Sequence, residues 1–269
     1  TAWDDAGLRT DSQVMERMLL AFEARNGALM NYLQKLLKSD QAKQQATEMK
    51  ALFTKPESVL EFARQHDASE FYQQQTILGL KKLARKDVKQ AQELFDGVVK
   101  AQKLTKKQSQ SIADYLAIRL INIDSAELAQ WRDSAIADSA NSSLLERRTR
   151  LAIQEMDWQG VMDWIARMPP ELQSSLRWQY WLGRSEVATG ESQKGHQRLE
   201  KLVGQRNFYS VAAAKEIKRS IDYPVSTVKL NKAVIKPFNS SLVRIEELIE
   251  RDKIAAAKSE WYWLLARAN

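Results

Sequence analysis

With 269 residues the chain can bury a large core, and its nine glycines and five prolines sit in a background of Ala, Leu, Gln, Lys, Glu and Arg, all good helix formers. It has no cysteine and only two histidines, His66 and His196, in no ligand spacing; disulfides, thiolate nucleophiles and Cys-ligated metals are excluded, and neither a metal nor a cofactor is expected. The net charge of +7 suits an anionic partner but is scattered rather than run together, which fits a solvated surface equally well, and no apolar run approaches the roughly 18 residues of a membrane span.

Taken along the chain, apolar periodicity predicts helices at 10–25, 27–38, 40–52, 56–66, 69–85, 87–101, 106–120, 125–138, 142–155, 158–167, 170–188, 191–203 and 207–219. Asp40, Ser69 and Asp124 or Ser125 are candidate N-caps. Pro56 and Pro170 stand at helix starts, where a missing N–H costs nothing. Short breaks at Asn26-Gly27, Lys86-Asp87, Met156-Asp157 and Thr189-Gly190 make the flanking helices antiparallel neighbours. From Asp222 the texture becomes proline-led and β-branched, through Tyr223-Pro224-Val225 to Lys236-Pro237-Phe238, and reads as an extended connector over 222–238. Two further helices follow at about 240–250 and 253–268. The opening Thr1-Ala2-Trp3 reads as protein interior and the stop at Asn269 as a cut within a helical array.

Two stretches share one stencil. Leu78-Gly79 is followed by Ala91 and Phe95; Leu182-Gly183 is followed by Gly195 and Leu199 at the same offsets. A bulky residue beside a small one, then small and bulky on the next helix, is the pattern of a helix-turn-helix repeat of about 34 residues. The fold class expected is all-α: a superhelix, or solenoid, of antiparallel helical hairpins of tetratricopeptide-like (TPR-like) type. Such a stack offers a long surface rather than a catalytic pocket.

Arg148 interrupts an apolar stripe formed by Leu144, Leu145, Leu151 and Ala152. It either snorkels along the helix, pairs as a buried structural cation with Asp133 or Glu155, or faces a ligand. Arg147 and Arg150 lie off that stripe. Phe208-Tyr209, followed by Ala212-Ala213-Ala214, reads as helix-packing core. Trp178, Tyr180 and Trp181 spread around one helix, so at least one is expected to leave the seam; Trp178 and Tyr180 either pack between neighbouring hairpins or line the concave surface. Trp261 and Trp263 in the last helix are expected to pack on the superhelix or on a further domain.

Several stretches, in order and at their spacings, resemble the soluble lytic murein transglycosylases of the Gram-negative periplasm. They are Trp131-Arg132-Asp133-Ser134-Ala135-Ile136, Ser143-Leu144-Leu145-Glu146-Arg147-Arg148-Thr149-Arg150-Leu151-Ala152, Trp164-Ile165-Ala166-Arg167-Met168-Pro169, Trp178-Gln179-Tyr180-Trp181, Gln205-Arg206-Asn207-Phe208-Tyr209-Ser210-Val211 and Lys258-Ser259-Glu260-Trp261. The resemblance implies an N-terminal α-superhelix, a helical linker domain and a C-terminal lysozyme-like domain. That last domain cleaves the MurNAc–GlcNAc β-1,4 bond of peptidoglycan to leave 1,6-anhydro-MurNAc ends. This chain would be superhelix over 1–221, connector over 222–238 and the start of the linker domain over 239–269, in the periplasm, with the catalytic domain as a missing partner.

The family's catalytic acid is a Glu before Ser, followed downstream by Gly-Leu-Met-Gln and Ala-Tyr-Asn-Ala-Gly runs. The pairs Glu57-Ser58 and Glu191-Ser192 lack both runs and open predicted helices, so no catalytic residue is carried over and this chain is not expected to be an enzyme by itself. Peptidoglycan strands are the expected partner, with Arg147, Arg150, Trp178 and Tyr180 as candidate glycan contacts: aromatic faces stack on sugars and basic groups attract stem carboxylates. The rival readings are a stand-alone TPR-like protein-interaction adaptor, a nucleic-acid-binding helical array, which the absence of a basic run disfavours, and a self-sufficient glycosidase.

Overall fold

The structure, a computed structural model, describes residues 9–221, 223 and 232–268. Contacts divide the chain into two compact units, Thr1–Ile221 and Asp222–Asn269. Among the described residues every regular element is helical. The first unit contains α1 Asp11–Glu23, α2 Gly27–Gln34, α3 Asp40–Thr54, a 3-10 turn Pro56–Ser58, α4 Val59–Gln65, α5 Glu70–Lys86, α6 Val88–Ala101 and α7 Lys106–Ala117. It continues with α8 Ala126–Ala137, α9 Ser142–Gln154, α10 Trp158–Ala166, α11 Pro170–Gln173, α12 Leu176–Ala188, α13 Ser192–Glu200 and α14 Phe208–Glu216. Consecutive helices pack as hairpins (α1 with α2, α5 with α6, α7 with α8, α9 with α10, α12 with α13) and each hairpin leans on the next. This is the all-α superhelical stack that the repeated stencil implies.

The helix starts are built from side chains. Thr10 and Gln13 form a reciprocal capping box on α1, the Thr10 N–H donating to Gln13 Oε1 at 3.0 Å and the Gln13 N–H to Thr10 Oγ1 at 3.3 Å. Asn26, Asp87, Thr105, Ser125, Asn141, Asp157 and Asn207 cap α2, α6, α7, α8, α9, α10 and α14. The cap of α3 is Ser39 rather than Asp40, which is the first helical residue. Asp11 explains the shift. Its carboxylate accepts from Lys38 N at 2.9 Å, Ser39 N at 2.8 Å and Ser39 Oγ at 2.7 Å, so the start of α1 fixes the start of α3.

Gly190 and Gly204, both with φ of 96°, follow α12 and α13, but four other helix ends use no glycine. Arg25, Lys103, Met156 and Lys218 all have positive φ, 59°, 47°, 55° and 54°. In each case the next residue's N–H returns to a carbonyl five back, as Asn26 N does to Ala21 O at 2.8 Å and Asp157 N to Ala152 O at 2.9 Å. The predicted helix 170–188 is two helices. Ser174 Oγ and Ser175 Oγ bond back to the carbonyls of Glu171 and Leu172, at 2.9 and 2.7 Å, and Ser175 is extended at the start of α12. Hydroxyls that satisfy the backbone locally compete with helix continuation.

The core is handed from hairpin to hairpin. One cluster runs from Val14 to Leu116, a second from Ala117 to Trp178, and a third joins Tyr180, Leu199, Leu202 and Ala213. The stencil glycines allow two different approaches. A Cβ on Gly195 would lie 2.6 Å from Gly183 O and 2.9 Å from Val187 N, so α12 and α13 touch backbone to backbone. A Cβ on Gly79 would instead meet the Leu52 side chain at 3.0 Å, so that glycine admits a residue from α3 rather than its own hairpin partner.

In the second unit, residues 222 and 224–231 of the expected connector lie outside the described residues. Its later part is helical rather than extended: α15 Lys232–Ile235 and a 3-10 turn Lys236–Phe238 lead directly into α16 Asn239–Glu250. Pro237 sits in the first positions of that turn, where no N–H is required of it. α16 pairs with α17 Ile254–Ala268 around Ile245, Ala257 and Leu264. Within this unit Trp261, Tyr262 and Trp263 are exposed.

Gly195→Ala is expected to destabilise the first unit by about 2 kcal/mol, because its Cβ meets fixed backbone and overpacking outweighs the gain in helix propensity. Gly97→Ala meets only the Leu60 side chain and is expected to be close to neutral. Urea unfolding of the two variants measures the contrast.

Candidate functional site

Arg148 is buried within the first unit and donates twice to one carboxylate: Nε to Asp133 Oδ1 at 2.7 Å and Nη2 to Oδ2 at 2.9 Å. Its Nη1 stands 3.7 Å from Glu155, and the guanidinium lies 5.2 Å from the Trp164 ring. Arg132, also buried, donates from Nε to Asp133 Oδ1 at 2.8 Å and from Nη1 to Ile121 O at 3.0 Å. One carboxylate therefore holds two buried guanidinium groups and ties α8 to α9 and to the chain that follows α7. Burial alone would raise the Asp133 carboxyl pKa; the hydrogen bonds and charges of Arg148 and Arg132 outweigh it and hold the group below the usual range. Arg132 escaped the sequence reading. The signal was there, since Leu128, Arg132 and Ile136 recur at four-residue spacing on the buried face of α8.

A second node joins α12 to α13. Glu186 is buried and accepts from Arg198 Nε and Nη2, both at 2.8 Å, with Lys194 Nζ at 3.3 Å. Arg198 Nη1 also donates to Gln179 Oε1 at 2.6 Å. Burial would raise the Glu186 pKa, but Arg198 and then Lys194 lower it.

The candidate glycan contacts separate. Arg147 and Arg150 are exposed on α9, Arg150 lying 3.5 Å from Glu146. Trp178 is 1% exposed and its indole N–H donates to Glu146 Oε1 at 3.2 Å. Tyr180 is 6% exposed and its ring stands 5.3 Å from Trp181 and 5.8 Å from Tyr209. Neither ring offers a face on which a sugar could stack, because α12 is covered by α10, α13 and α14. The residue that does leave the core is Phe208, 73% exposed, where helix-packing core had been expected of it.

Glu57 and Glu191 lack the surroundings of a general acid. Glu57, in the turn before α4, is ion-paired to Lys86, whose hydrogen bond lowers its pKa. Glu191 precedes α13 and lies 2.8 Å from Lys194. A glycosidase acid needs its proton held by a raised pKa. His66 is packed between Phe62 and Tyr72 at 4.2 and 4.3 Å, with Nε2 3.1 Å from Glu48. Among the described residues no group of three His, Asp or Glu side chains could hold a metal ion, and no helix is long and apolar enough to cross a membrane. An open groove of about 850 Å³ between α1, α3 and the start of α5 is lined by four carboxylates, Asp11, Glu16, Asp67 and Glu70.

The fold and these sites define a hairpin solenoid cross-braced by buried ion pairs, with its two Glu-Ser pairs spent on surface salt bridges. No protein-family model matches the chain. The soluble lytic murein transglycosylase of Escherichia coli strain K12 is 30% identical over 262 residues, covering 97% of this chain and 40% of that protein. That of Salmonella typhimurium strain LT2 is 29% identical over 262 residues, with the same coverage of 97% and 40%. A solved complex of the 70-kDa soluble lytic transglycosylase with bulgecin A matches with a TM-score of 0.74 at 30% identity, over 98% of this chain and 43% of that one. An inactive mutant of the lytic transglycosylase Slt from Pseudomonas aeruginosa matches with a TM-score of 0.71 at 25% identity, over 99% and 43%. The chain is thus homologous to the soluble lytic murein transglycosylases over nearly its whole length and shares their superhelical fold. It spans about two-fifths of the length of the relatives it matches.

Asp133→Ala leaves two buried guanidinium groups without their anion and is expected to cost about 3 kcal/mol in urea unfolding. Glu155→Ala, at a 51% exposed partner 3.7 Å away, is expected to cost well under 1 kcal/mol. Asp11 gives an acid-limb test. Its pKa is lowered to about 2 by the backbone N–H groups of Ser39 and Lys38 and the Ser39 hydroxyl. A depressed folded-state pKa contributes stability above the unfolded value of about 3.9, lost as pH falls towards the folded one. Asp11→Asn is expected to lower the urea midpoint at pH 6, with the gap to wild type closing as pH approaches 2.

Proposed function

We propose that this chain serves as a non-catalytic superhelical scaffold of a soluble lytic murein transglycosylase. In this reading residues 1–221 form the scaffold and residues 239–269 begin a helical linker domain. Together they hold a catalytic domain that cleaves the MurNAc–GlcNAc β-1,4 bond of peptidoglycan to leave 1,6-anhydro-MurNAc ends. The scaffold steers glycan strands in the periplasm. The observation that carries the reading is the homology over 97% of the chain in a stretch whose only two Glu-Ser pairs, at Glu57 and Glu191, are bound into salt bridges with Lys86 and Lys194. Steering requires an exposed surface that meets murein, and it does not rest on Trp178 or Tyr180.

The purified chain is expected to leave no clearing in a murein zymogram and to co-sediment with isolated sacculi at low ionic strength. Clearing by the chain alone would overturn the scaffold assignment. Absence from the sacculus pellet would overturn the steering role.

A further inference from the structure

Most cations at the hairpin seams have a carboxylate partner: Arg132 and Arg148 share Asp133, Arg198 and Lys194 share Glu186, and Lys86 meets Glu57. A group at the C-terminal ends of α5 and α7 does not. Tyr115 of α7 gathers three basic side chains. Arg85 Nη1 donates to its hydroxyl at 2.6 Å, the Arg119 guanidinium lies 3.6 Å from its ring centroid, and Lys81 Nζ lies 5.5 Å from it. Arg119 is anchored from below, its Nη1 donating to Tyr115 O at 2.8 Å. Next to Lys81 on α5, Lys82 Nζ stands 3.4 Å from the Phe53 ring centroid, close enough to Arg25 and Arg85 for both charges to act on it. None of Arg25, Lys81, Lys82, Arg85 and Arg119 makes a salt bridge among the described residues. Lys81 also feels the opposing charge of Glu23.

Their mutual repulsion acts in the same direction as their burial. Burial lowers the pKa of Lys81, Lys82 and Arg119, and the charge of Arg85 lowers each further. Five neighbouring cations without a salt-bridged carboxylate is an arrangement that a protein surface normally relieves with an acid or by splaying the side chains apart. Here the rings of Tyr115 and Phe53 hold them together, since a cation over an aromatic face is favoured even when its neighbours repel it. Arg85 is exposed, and Lys81 and Arg119 are half-buried beside it. These are charge-assisted donors suited to an oxyanion, and a planar carboxylate matches a guanidinium edge bidentately.

We propose that Lys81, Arg85 and Arg119, gathered on Tyr115 and flanked by Lys82 and Arg25, form a carboxylate-binding site whose ligands are the free carboxylates of murein stem peptides. The choice of murein as the source rests on the scaffold reading above. The site itself rests on the unneutralised cluster, and its sign is opposite to that of the acid-lined groove near the N-terminal end of α5.

The test is titration of the whole chain with soluble muropeptides by calorimetry at low ionic strength. Wild type is expected to bind with an affinity that falls as salt is raised. Arg85→Gln plus Arg119→Gln is expected to weaken binding about tenfold or more, and amidating the stem carboxylates is expected to do the same to wild type. Lys106→Gln plus Lys107→Gln, exposed at the start of α7 and at the other end of that helix from Arg119, removes the same charge and is expected to bind as wild type. Should the first double variant unfold, Lys81→Gln plus Arg85→Gln keeps the Arg119–Tyr115 contact and carries the same expectation. Wild-type affinity in folded variants of the cluster, or indifference to amidation, overturns the site while leaving the scaffold reading in place. No muropeptide binding by wild type overturns the murein source and counts against the scaffold reading as well.

Discussion

A helical hairpin has one inner seam and two outer flanks to bury, and nothing within a single hairpin covers the flanks. The first unit depends on that constraint throughout. Neighbouring residues on one helix belong to different cores: Leu116 to the cluster that begins at Val14, Ala117 to the one that ends at Trp178. α7 is therefore buried on two sides, and its removal would open both. The two glycines that share a stencil position divide the labour. Gly183 closes the inner seam of its own hairpin against Gly195, while Gly79 opens an outer flank to Leu52 of α3. The same local pattern is retained because the same steric need, space for one close neighbour, arises on either side of a helix.

Much of this was legible in the sequence because helix starts are written in side chains. A Thr, Ser, Asn or Asp before an apolar stripe is a local hydrogen-bonding event and needs no knowledge of the rest of the fold. Helix ends were less legible. Arg25, Lys103, Met156 and Lys218 take the left-handed conformation that glycine often supplies, so the break at Met156-Asp157 is marked by lost apolar period and not by a glycine, whereas Gly190 marks the end of α12 directly. Trp178 and Tyr180 took the hairpin-packing reading rather than the glycan-facing one. Their spread around α12 implies exposure if a helix has one buried face, but α12 is packed against α10, α13 and α14, so a wide arc of it is core. Placement failed at Phe208, which opens the last helix of the first unit and stands out in solvent.

The polar residues in the seams follow a different logic from the apolar ones. Asp133 and Glu186 are each held by two cations and cannot be replaced singly without stranding a buried charge. Burial by itself disfavours both carboxylates, and only the geometry of their arginines reverses that. Their net contribution to stability is accordingly modest compared with a well-packed apolar alternative, but they fix register. A bidentate arginine accepts one position of α9 against α8 and one of α13 against α12, where an apolar stripe would tolerate sliding. Arg148 was recognisable because a charge on an apolar stripe demands a partner. The candidates were Asp133 on α8 and Glu155 at the end of α9 itself, and the bidentate contact goes to Asp133.

The same reasoning separates the paired cations from those around Tyr115. Helix dipoles account for basic residues at helix C-termini one at a time, and Arg85 and Lys86 in the last turn of α5 fit that explanation. A dipole does not account for convergence. Lys81 and Arg85 are four residues apart on α5, Tyr115 and Arg119 four apart across the end of α7, and each pair lies on one helix face. Packing of α5 on α7 merges the two faces into one cluster, which a linear search for basic runs does not register because no two of these residues, other than Lys81 and Lys82, are adjacent in the chain. The net charge of +7 is thus not evenly spread after folding. Seam carboxylates neutralise the cations beside them, the N-terminal end of α5 faces an acidic groove, and an unbalanced excess is left where two aromatic rings can hold it. A surface of that kind gains more from an arriving carboxylate than from water, since the anion relieves repulsion among groups that the fold has already brought together.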